Sequence, residues 1–500
     1  MRNIGSIVLI TLLLFSCNKI EKKEKRPPNI LFILADDMGW ADLPNYGNQF
    51  NEAPHIEALA KQGMQFSNAY AANPVCSPSR ASIQTGQYPA RIGLNDFLPG
   101  HWRSFEKLTV PSNKTQFLPL SYETIGEVLQ SAGYKTGYFG KWHLGHTEKH
   151  HPKNQGYDES VVYNGGGFFD YNNLMSPKTD FPPGKILSEA LTDLSIDFIN
   201  KNKAQPFFLF LAHYDVHVQL DAQSELIDKY LKKPKPIDYP SNAIYAAMVE
   251  NVDTSVGRIL KTLSELDLED DTVVVFFSDN GGLVTRYDKI PLIAKEKLHY
   301  YEKDTLQYIA SSNKPLRAEK GTLFEGGIRE PLIVKWPKKI KAASTSDALV
   351  SSIDFFPTFI ELAKTNLPKN QLIDGQSIVN TLLNKENHTE RTLYWHYPVY
   401  HHATPASAIR QGDWKLIYFY EDDHEELFNL KVDIGETNDV AKNHPEKKED
   451  LLRSLKNWIK DTEALIPIQN PDFNPEKREV WTRHPNFDDM LKGTITTNTN

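Results

Sequence analysis

Four runs of apolar, β-branched or aromatic residues stand out along the chain because each stops at a polar cluster. Ile30 to Ala35 is followed by Asp36-Asp37, and Tyr134 to Phe139 by Gly140-Lys141-Trp142-His143. Phe207 to Ala212 is followed by His213-Tyr214-Asp215-Val216-His217, and Thr272 to Phe277 by Ser278-Asp279-Asn280-Gly281-Gly282. Runs without polar alternation are the pattern of parallel strands buried on both faces. Helical spacing lies between them. Ser121 to Ala132 opens with a capping-box pattern at Ser121 and Thr124 and stops at Gly133, and Ile186 to Lys201 and Ile244 to Leu266 also read as helices. The alternation predicts an α/β fold, a large mixed, mostly parallel sheet sandwiched by helices. Such sheets bind ligands past the carboxyl ends of their strands, so the polar clusters should converge on one face.

After about residue 385 the texture changes to short strand-like runs: Thr392 to Trp395, Ser407 to Arg410, Trp414 to Tyr418 after a Gly412-Asp413 turn, and Glu426 to Leu430. Glu446 to Thr462 then has helical spacing, with Leu451, Leu452, Leu455, Trp458 and Ile459 on one side. This predicts a main α/β domain over 29–385, a smaller antiparallel sheet plus helix over 386–466, and a surface-hugging or mobile tail over 467–500, rich in Pro, Asn and Thr. A length of 500 residues is also more than one hydrophobic core usually spans.

The N-terminus carries a different signal. Arg2, the apolar run Ile7 to Phe15 and the end Leu14-Phe15-Ser16-Cys17 form a signal peptide over 1–16, with an apolar stretch far too short to span a bilayer. The end resembles the lipobox of bacterial lipoproteins. That resemblance implies cleavage before Cys17, acylation of its sulfur, a charged tether over 17–28, and an exported protein anchored by lipid at the outer membrane, in the periplasm or on the cell surface. The net charge of −8 gives no support for nucleic-acid binding, although a locally positive cleft for an anion remains compatible with it. Of two cysteines, Cys76 would then be the one unacylated thiol of the mature chain, and two cysteines cannot form a disulfide framework.

Cys76 opens Cys76-Ser77-Pro78-Ser79-Arg80-Ala81-Ser82-Ile83-Gln84-Thr85-Gly86. This segment resembles the signature C-x-P-S-R-x-x-x-x-T-G of the formylglycine-dependent type I sulfatases, arylsulfatase-like enzymes of the alkaline-phosphatase superfamily. Six fixed positions at average residue usage arise by chance at roughly 10⁻⁸ per start. The resemblance runs from about Pro28 into the 460s and implies the alkaline-phosphatase-like fold and a sulfuric ester hydrolase. It also implies that a maturation enzyme oxidises Cys76 to formylglycine (3-oxoalanine). One hydroxyl of the hydrated aldehyde attacks sulfur, and deprotonation of the other expels sulfate, which splits one hard step into two easier ones.

The remaining clusters match further family blocks. Asp36-Asp37-Met38-Gly39-Trp40 and Ser278-Asp279-Asn280-Gly281-Gly282 resemble the two metal motifs, which assigns one Ca²⁺ to Asp36, Asp37, Asp279, Asn280 and the residue-76 diol oxygen. A hard cation seeking six or more oxygens suits that set. Gly140 to Gly145 matches G-K-W-H-L-G, which places Lys141 on a sulfate oxygen and makes His143 the base for sulfate release. Leu316 to Pro331 resembles another block, with Lys320 as the second lysine on the sulfate and Glu325 and Arg329 as a structural charge pair. The family also carries a histidine after the strand ending at Ala212. Neither His213 nor His217 has the usual Pro two residues on, and spacing favours His217 as general acid to the leaving alcohol, assisted by Lys320. Arg80 joins the positive groups around the sulfuryl oxygens, or fixes the hydrated aldehyde.

The sugar pocket is not shared across the family. Candidates are Asp96, His101, Trp102, Arg103 and the block Trp395 to His402, with Asp96, Arg103 and His402 expected to bind substrate beside Lys141, His217 and Lys320. Packing of the domain interface is the alternative role for these residues. An exported lipoprotein with this signature resembles the polysaccharide sulfatases of Bacteroidetes. With many more Lys than Arg, this points to a sulfated algal polysaccharide oligomer, such as ulvan or a carrageenan. Competing readings are a phosphodiester or phosphonate hydrolase of the same superfamily and an inactive lipoprotein that captures sulfated glycan.

Overall fold

The computed structural model describes residues 26–286, 290–385, 390–485 and 487–493. Cys17 and the whole leader lie outside the described residues. A nine-stranded sheet forms the centre, in the order Ser344–Ser346, Met64–Phe66, Leu332–Lys335, Thr272–Ser278, Asn29–Ala35, Phe207–Ala212, Lys135–Lys141, Glu159–Tyr163 and Met175–Ser176. The middle five strands, from Thr272–Ser278 to Glu159–Tyr163, pair in parallel, and Leu332–Lys335 and Met175–Ser176 run antiparallel to their neighbours. The sheet is therefore mixed and mostly parallel.

The continuous apolar runs follow from two-sided burial. Along Asn29–Ala35, Leu31, Ile33 and Ala35 enter one core with the helices Leu187–Asn202 and Ala243–Glu265. Ile30, Phe32 and Leu34 enter the opposite core with Cys76–Thr85, Ile125–Ser131 and Phe355–Leu362. The first of the predicted helices begins later than expected. Its N-cap is Thr124, whose hydroxyl accepts from Glu127 N while the Glu127 carboxylate accepts from Thr124 N. Ser121 lies in a turn before it, because the reciprocal box needs an acid three residues after the cap and Ser121 has Thr124 there.

Thr392–Tyr397, Ala406–Gln411, Trp414–Phe419 and His424–Asn429 form a four-stranded antiparallel sheet in chain order. The helix Pro445–Asp461 buries Leu451, Leu452, Leu455 and Trp458 against it. Glu325 ties this sheet to the main body. Its carboxylate accepts from Arg329 Nε at 2.6 Å, Tyr70 OH at 2.8 Å and Lys415 Nζ at 2.8 Å, all buried. Lys415 also pairs with Glu436 at 2.8 Å. The tail runs over the surface: Ile468–Gln469 pairs with Leu108–Thr109, and Asn474 and Thr482 donate backbone bonds to Phe105 O and Trp102 O.

Candidate active site

The signature folds as a ten-residue helix, Cys76–Thr85, enclosed on every side. Pro78 falls in the first turn, where a missing N–H costs nothing. Gly86 ends the helix in the left-handed region, with φ of 69° and its N–H on Ser82 O. Cys76 and Arg80, four residues apart, share one face. Cys76 is the first helical residue and faces the ends of Asn29–Ala35 and Lys135–Lys141.

Its Sγ lies 3.5 Å from Asp36 Oδ1, 4.0 Å from Asp37 Oδ1, 3.4 Å from Lys141 Nζ and 3.7 Å from Lys320 Nζ. Lys141 bonds to Asp36 Oδ2 at 2.6 Å and Lys320 to Asp37 Oδ2 at 2.7 Å. Arg80 clamps Asp279 Oδ2 through Nε and Nη2, both at 2.8 Å, and donates to Lys141 O. Asn280 donates to Asp37 Oδ1 at 2.8 Å, and its buried Oδ1 has no hydrogen-bond partner. Asp37 sits at φ of 62°, a conformation that non-glycine residues adopt rarely and chiefly where function demands it. Three buried carboxylates thus share a small volume with three cations.

The donor set fits a hard cation. Asp36, Asp37, Cys76 and His217 each offer a ligand atom within 4.8 Å of one another. The orphaned Asn280 oxygen and the Asp279 carboxylate add oxygen donors at the same strand ends. Burial and the neighbouring Asp36 push the Asp279 carboxyl up to about 6, against the pull of Arg80. Burial pushes Asp37 up as well, but Lys320, His217 and Lys141 outweigh it and hold the group below the usual carboxylate range. Burial pushes the Cys76 thiol up to about 12 despite Lys141 and Lys320, so at neutral pH it is a protonated thiol and a poor nucleophile.

His143 and His217 line the same cavity of about 190 Å³ as Cys76 and Lys320. His143 Nε2 contacts Leu98 O at 3.1 Å, and its buried Nδ1 has no hydrogen-bond partner. Burial, reinforced by Lys141, keeps this imidazole neutral. His217 Nδ1 contacts Val218 O at 2.6 Å, and its Nε2 lies 3.6 Å from Asp37 Oδ2. Burial lowers His217 to about 3, with Asp37 opposing and Lys141 and Lys320 assisting. His213 is turned away, with Nε2 on Ser255 Oγ at 3.0 Å.

The sugar candidates divide. His402 lines the cavity, and its Nδ1 contacts Lys320 O at 2.8 Å. Trp395 is buried and donates from Nε1 to Ala71 O, which makes it part of the interface between the sheets. Asp96 does not reach the cavity wall: its carboxylate is buried and engaged by His101 N, His101 Nδ1 and Tyr397 OH, because an acid this enclosed needs donors around it. Asp96 thereby orients His101, which does line the cavity. Trp102 packs against His484. Arg103 lies over the Trp481 ring at 4.1 Å and lines a neighbouring chamber. The lining also includes Phe97, Leu283 and Arg286, which the sequence reading did not single out because none lies in a motif.

Comparison with known proteins agrees with this geometry. The sulfatase family model matches residues 28–365, and a model described as the C-terminal part of N-sulphoglucosamine sulphohydrolase matches 318–464. A sulfatase of Formosa agariphila is 31% identical over 92% of this chain and 93% of its own. Human N-acetylgalactosamine-6-sulfatase is 34% identical over 90% of this chain and 88% of its own. Among solved structures, Ps i-CgsB in complex with k-i-k-neocarrahexaose superimposes with a TM-score of 0.73 at 30% identity, over 93% of this chain and 100% of that one.

Proposed function

The chain belongs to the sulfatase family and is a sulfuric ester hydrolase, and on that premise we propose that it removes sulfate from a saccharide, an algal oligosaccharide of the ulvan or carrageenan kind. One observation carries the reading: the residue-76 side chain lies within 4.0 Å of two carboxylates and two ammonium groups at once. Support for a saccharide comes from relatives named for sulfated amino sugars and from a neighbour solved with a carrageenan oligosaccharide.

In this proposal Cys76 is the precursor of formylglycine, whose hydrate supplies the nucleophilic hydroxyl. A thiol pushed to about 12 has no evident role as a thiolate, which supports the precursor reading. Asp36, Asp37, Asp279 and Asn280 would hold Ca²⁺, whose charge, when bound, polarises the sulfuryl oxygens. Lys141 and Lys320 would turn from the carboxylates to the sulfuryl oxygens and stabilise the charge that builds there. Arg80 holds Asp279 and the carbonyl of Lys141, and so orients both sides of the site. The neutral His143 presents Nδ1 as the base that takes the second hydroxyl proton. His217 must become an imidazolium to donate to the leaving alcohol. Burial chiefly holds this imidazole neutral, with the two lysines adding to it; an arriving sulfate adds negative charge and engages those lysines, so its affinity for a proton rises on binding.

We further propose a formylglycine-generating maturation enzyme as a partner, and an exported lipoprotein acylated at Cys17. Mass spectrometry of the peptide around residue 76, paired with metal-dependent sulfate release, tests the central claim. An aldehyde at that residue and an inactive Cys76→Ala variant are expected. Undiminished turnover by Cys76→Ala overturns the proposal.

A further inference from the structure

Beside the catalytic cavity lies a wider chamber of about 650 Å³, reached past His401 and His402, which line both. Its charges differ in kind from those of the first cavity. Arg103 Nη1 pairs with Glu106 at 3.2 Å, Arg478 Nε pairs with the same carboxylate at 3.0 Å, and Arg478 Nη2 also pairs with Glu421 at 2.9 Å. Glu479 adds an exposed carboxylate to the lining, and Glu319 a second one whose oxygens accept from Val284 N, Thr285 N and the Thr285 hydroxyl. Both guanidinium groups are thus matched by acids before any ligand arrives, and among the described residues Glu106, Glu319 and Glu479 bring three carboxylates to the lining. The tail supplies Arg478, Glu479 and Trp481 to this wall.

We propose that this chamber is a subsite for the sugar next to the sulfated one, and that this neighbouring sugar is uncharged. The inference rests on the reading of the chain as a saccharide sulfatase and adds a charge rule to it. A sulfated unit fits where Lys141 and Lys320 stand. A hydroxyl-bearing neutral unit fits where paired Arg and Glu side chains offer both donors and acceptors. A uronate or a second sulfate in the chamber is repelled, so of the two algal kinds named above the carrageenan kind fits this rule and the uronate-bearing ulvan kind does not. The enzyme therefore selects chains in which charged and uncharged sugars alternate.

Calorimetric binding to calcium-loaded Cys76→Ala protein tests this without relying on turnover. Two matched pairs of probes are used. The first is a chondroitin 6-sulfate tetrasaccharide and the same molecule with its uronate carboxyls reduced to alcohols. The second is a pair of carrageenan oligosaccharides differing by one sulfate on the neighbouring unit. In at least one pair the member with the uncharged neighbour is expected to bind about tenfold tighter, from one screened charge at close range. Glu479→Gln, at an exposed position away from the sulfate-binding lysines, should shrink that gap. Equal affinity within both pairs, preference for the charged neighbour, or no binding of any probe overturns the proposal. Failure of the sulfatase reading shows separately, as no release of sulfate from an aryl sulfate by the unmutated, matured protein.

Discussion

Lys415 should be among the costliest single residues to neutralise. It sits on a strand of the four-stranded sheet with no exposure, 2.8 Å from Glu325 and 2.8 Å from Glu436, both equally enclosed. Lys415→Met leaves the chain length and removes the charge. Glu325 keeps Arg329 and Tyr70. Among the described residues, the Glu436 carboxylate keeps the backbone N–H of Glu325, at 2.7 Å. Breaking a buried ion pair by removing one partner costs about 3–5 kcal/mol. Burial and Glu325 hold the Glu436 carboxyl up at about 7 even with Lys415 opposing them. Without Lys415 it rises further and takes up a proton. A carboxyl whose folded value exceeds its unfolded value favours the folded state at low pH and loses that contribution as pH rises through the folded value. The penalty of Lys415→Met should therefore be larger at pH 8 than at pH 6. Glu436→Gln alone should cost about 1 kcal/mol or less, and added to Lys415→Met it should recover about 1–2 kcal/mol, since no buried charge is then left unpaired. Urea unfolding followed by tryptophan fluorescence at the two pH values reads all four proteins. A Lys415→Met penalty below about 1 kcal/mol, or one independent of pH, refutes the reasoning.

Three further outcomes are expected. Lys141→Ala and Lys320→Ala should each lower kcat/KM for an aryl sulfate by about 10²–10³, since each removes a cation from the developing charge; a loss under threefold contradicts the assignment. Calcium should raise the unfolding temperature of the chelator-treated protein, by the equivalent of about 2.7 kcal/mol at a hundredfold excess over Kd, and Asp279→Ala should abolish the rise. His396 is buried, with Nδ1 on Ser407 Oγ and Nε2 on Leu465 O, and burial lowers it to about 4 with only the Leu465 carbonyl opposing. It stays neutral in the fold while its unfolded counterpart protonates below about 6.5. Stability is thus complete above that value and falls by up to about 3 kcal/mol toward pH 4, and His396→Gln should flatten this part of the urea-midpoint profile.

The chemistry of the centre was legible because it is local. Four of the five central parallel strands carry a mainly apolar run, with a polar cluster within a few residues of its end, whereas Glu159–Tyr163, with the sequence ESVVY, carries none. The edges of the sheet were not legible. Ser344–Ser346 and Met64–Phe66 are three residues each, too short for any period to show, and are held by partners hundreds of positions away. Lys415 was read only as part of a strand-like run, since nothing near it in the chain reveals the two acids it meets. Asp96 looked like a sugar ligand for the same reason, and its partner His101 turned out to face the cavity. The tail was read only as surface-hugging or mobile. Its part in the chamber depends on residues 102–109 lying beneath it, which no local pattern encodes.

The enclosure of Cys76, 2% exposed at the head of a helix buried throughout, sets a deadline. Any catalyst that converts this thiol to an aldehyde must grip the peptide on both sides of it, and the finished fold leaves nothing to grip. If Cys76 is the formylglycine precursor proposed above, conversion would be confined to the interval between emergence from the ribosome and collapse of the sheet around the segment. Molecules that closed first would be stranded as thiols. Specific activity would then record the outcome of that race during synthesis, and supplying the converting catalyst to purified protein would come too late.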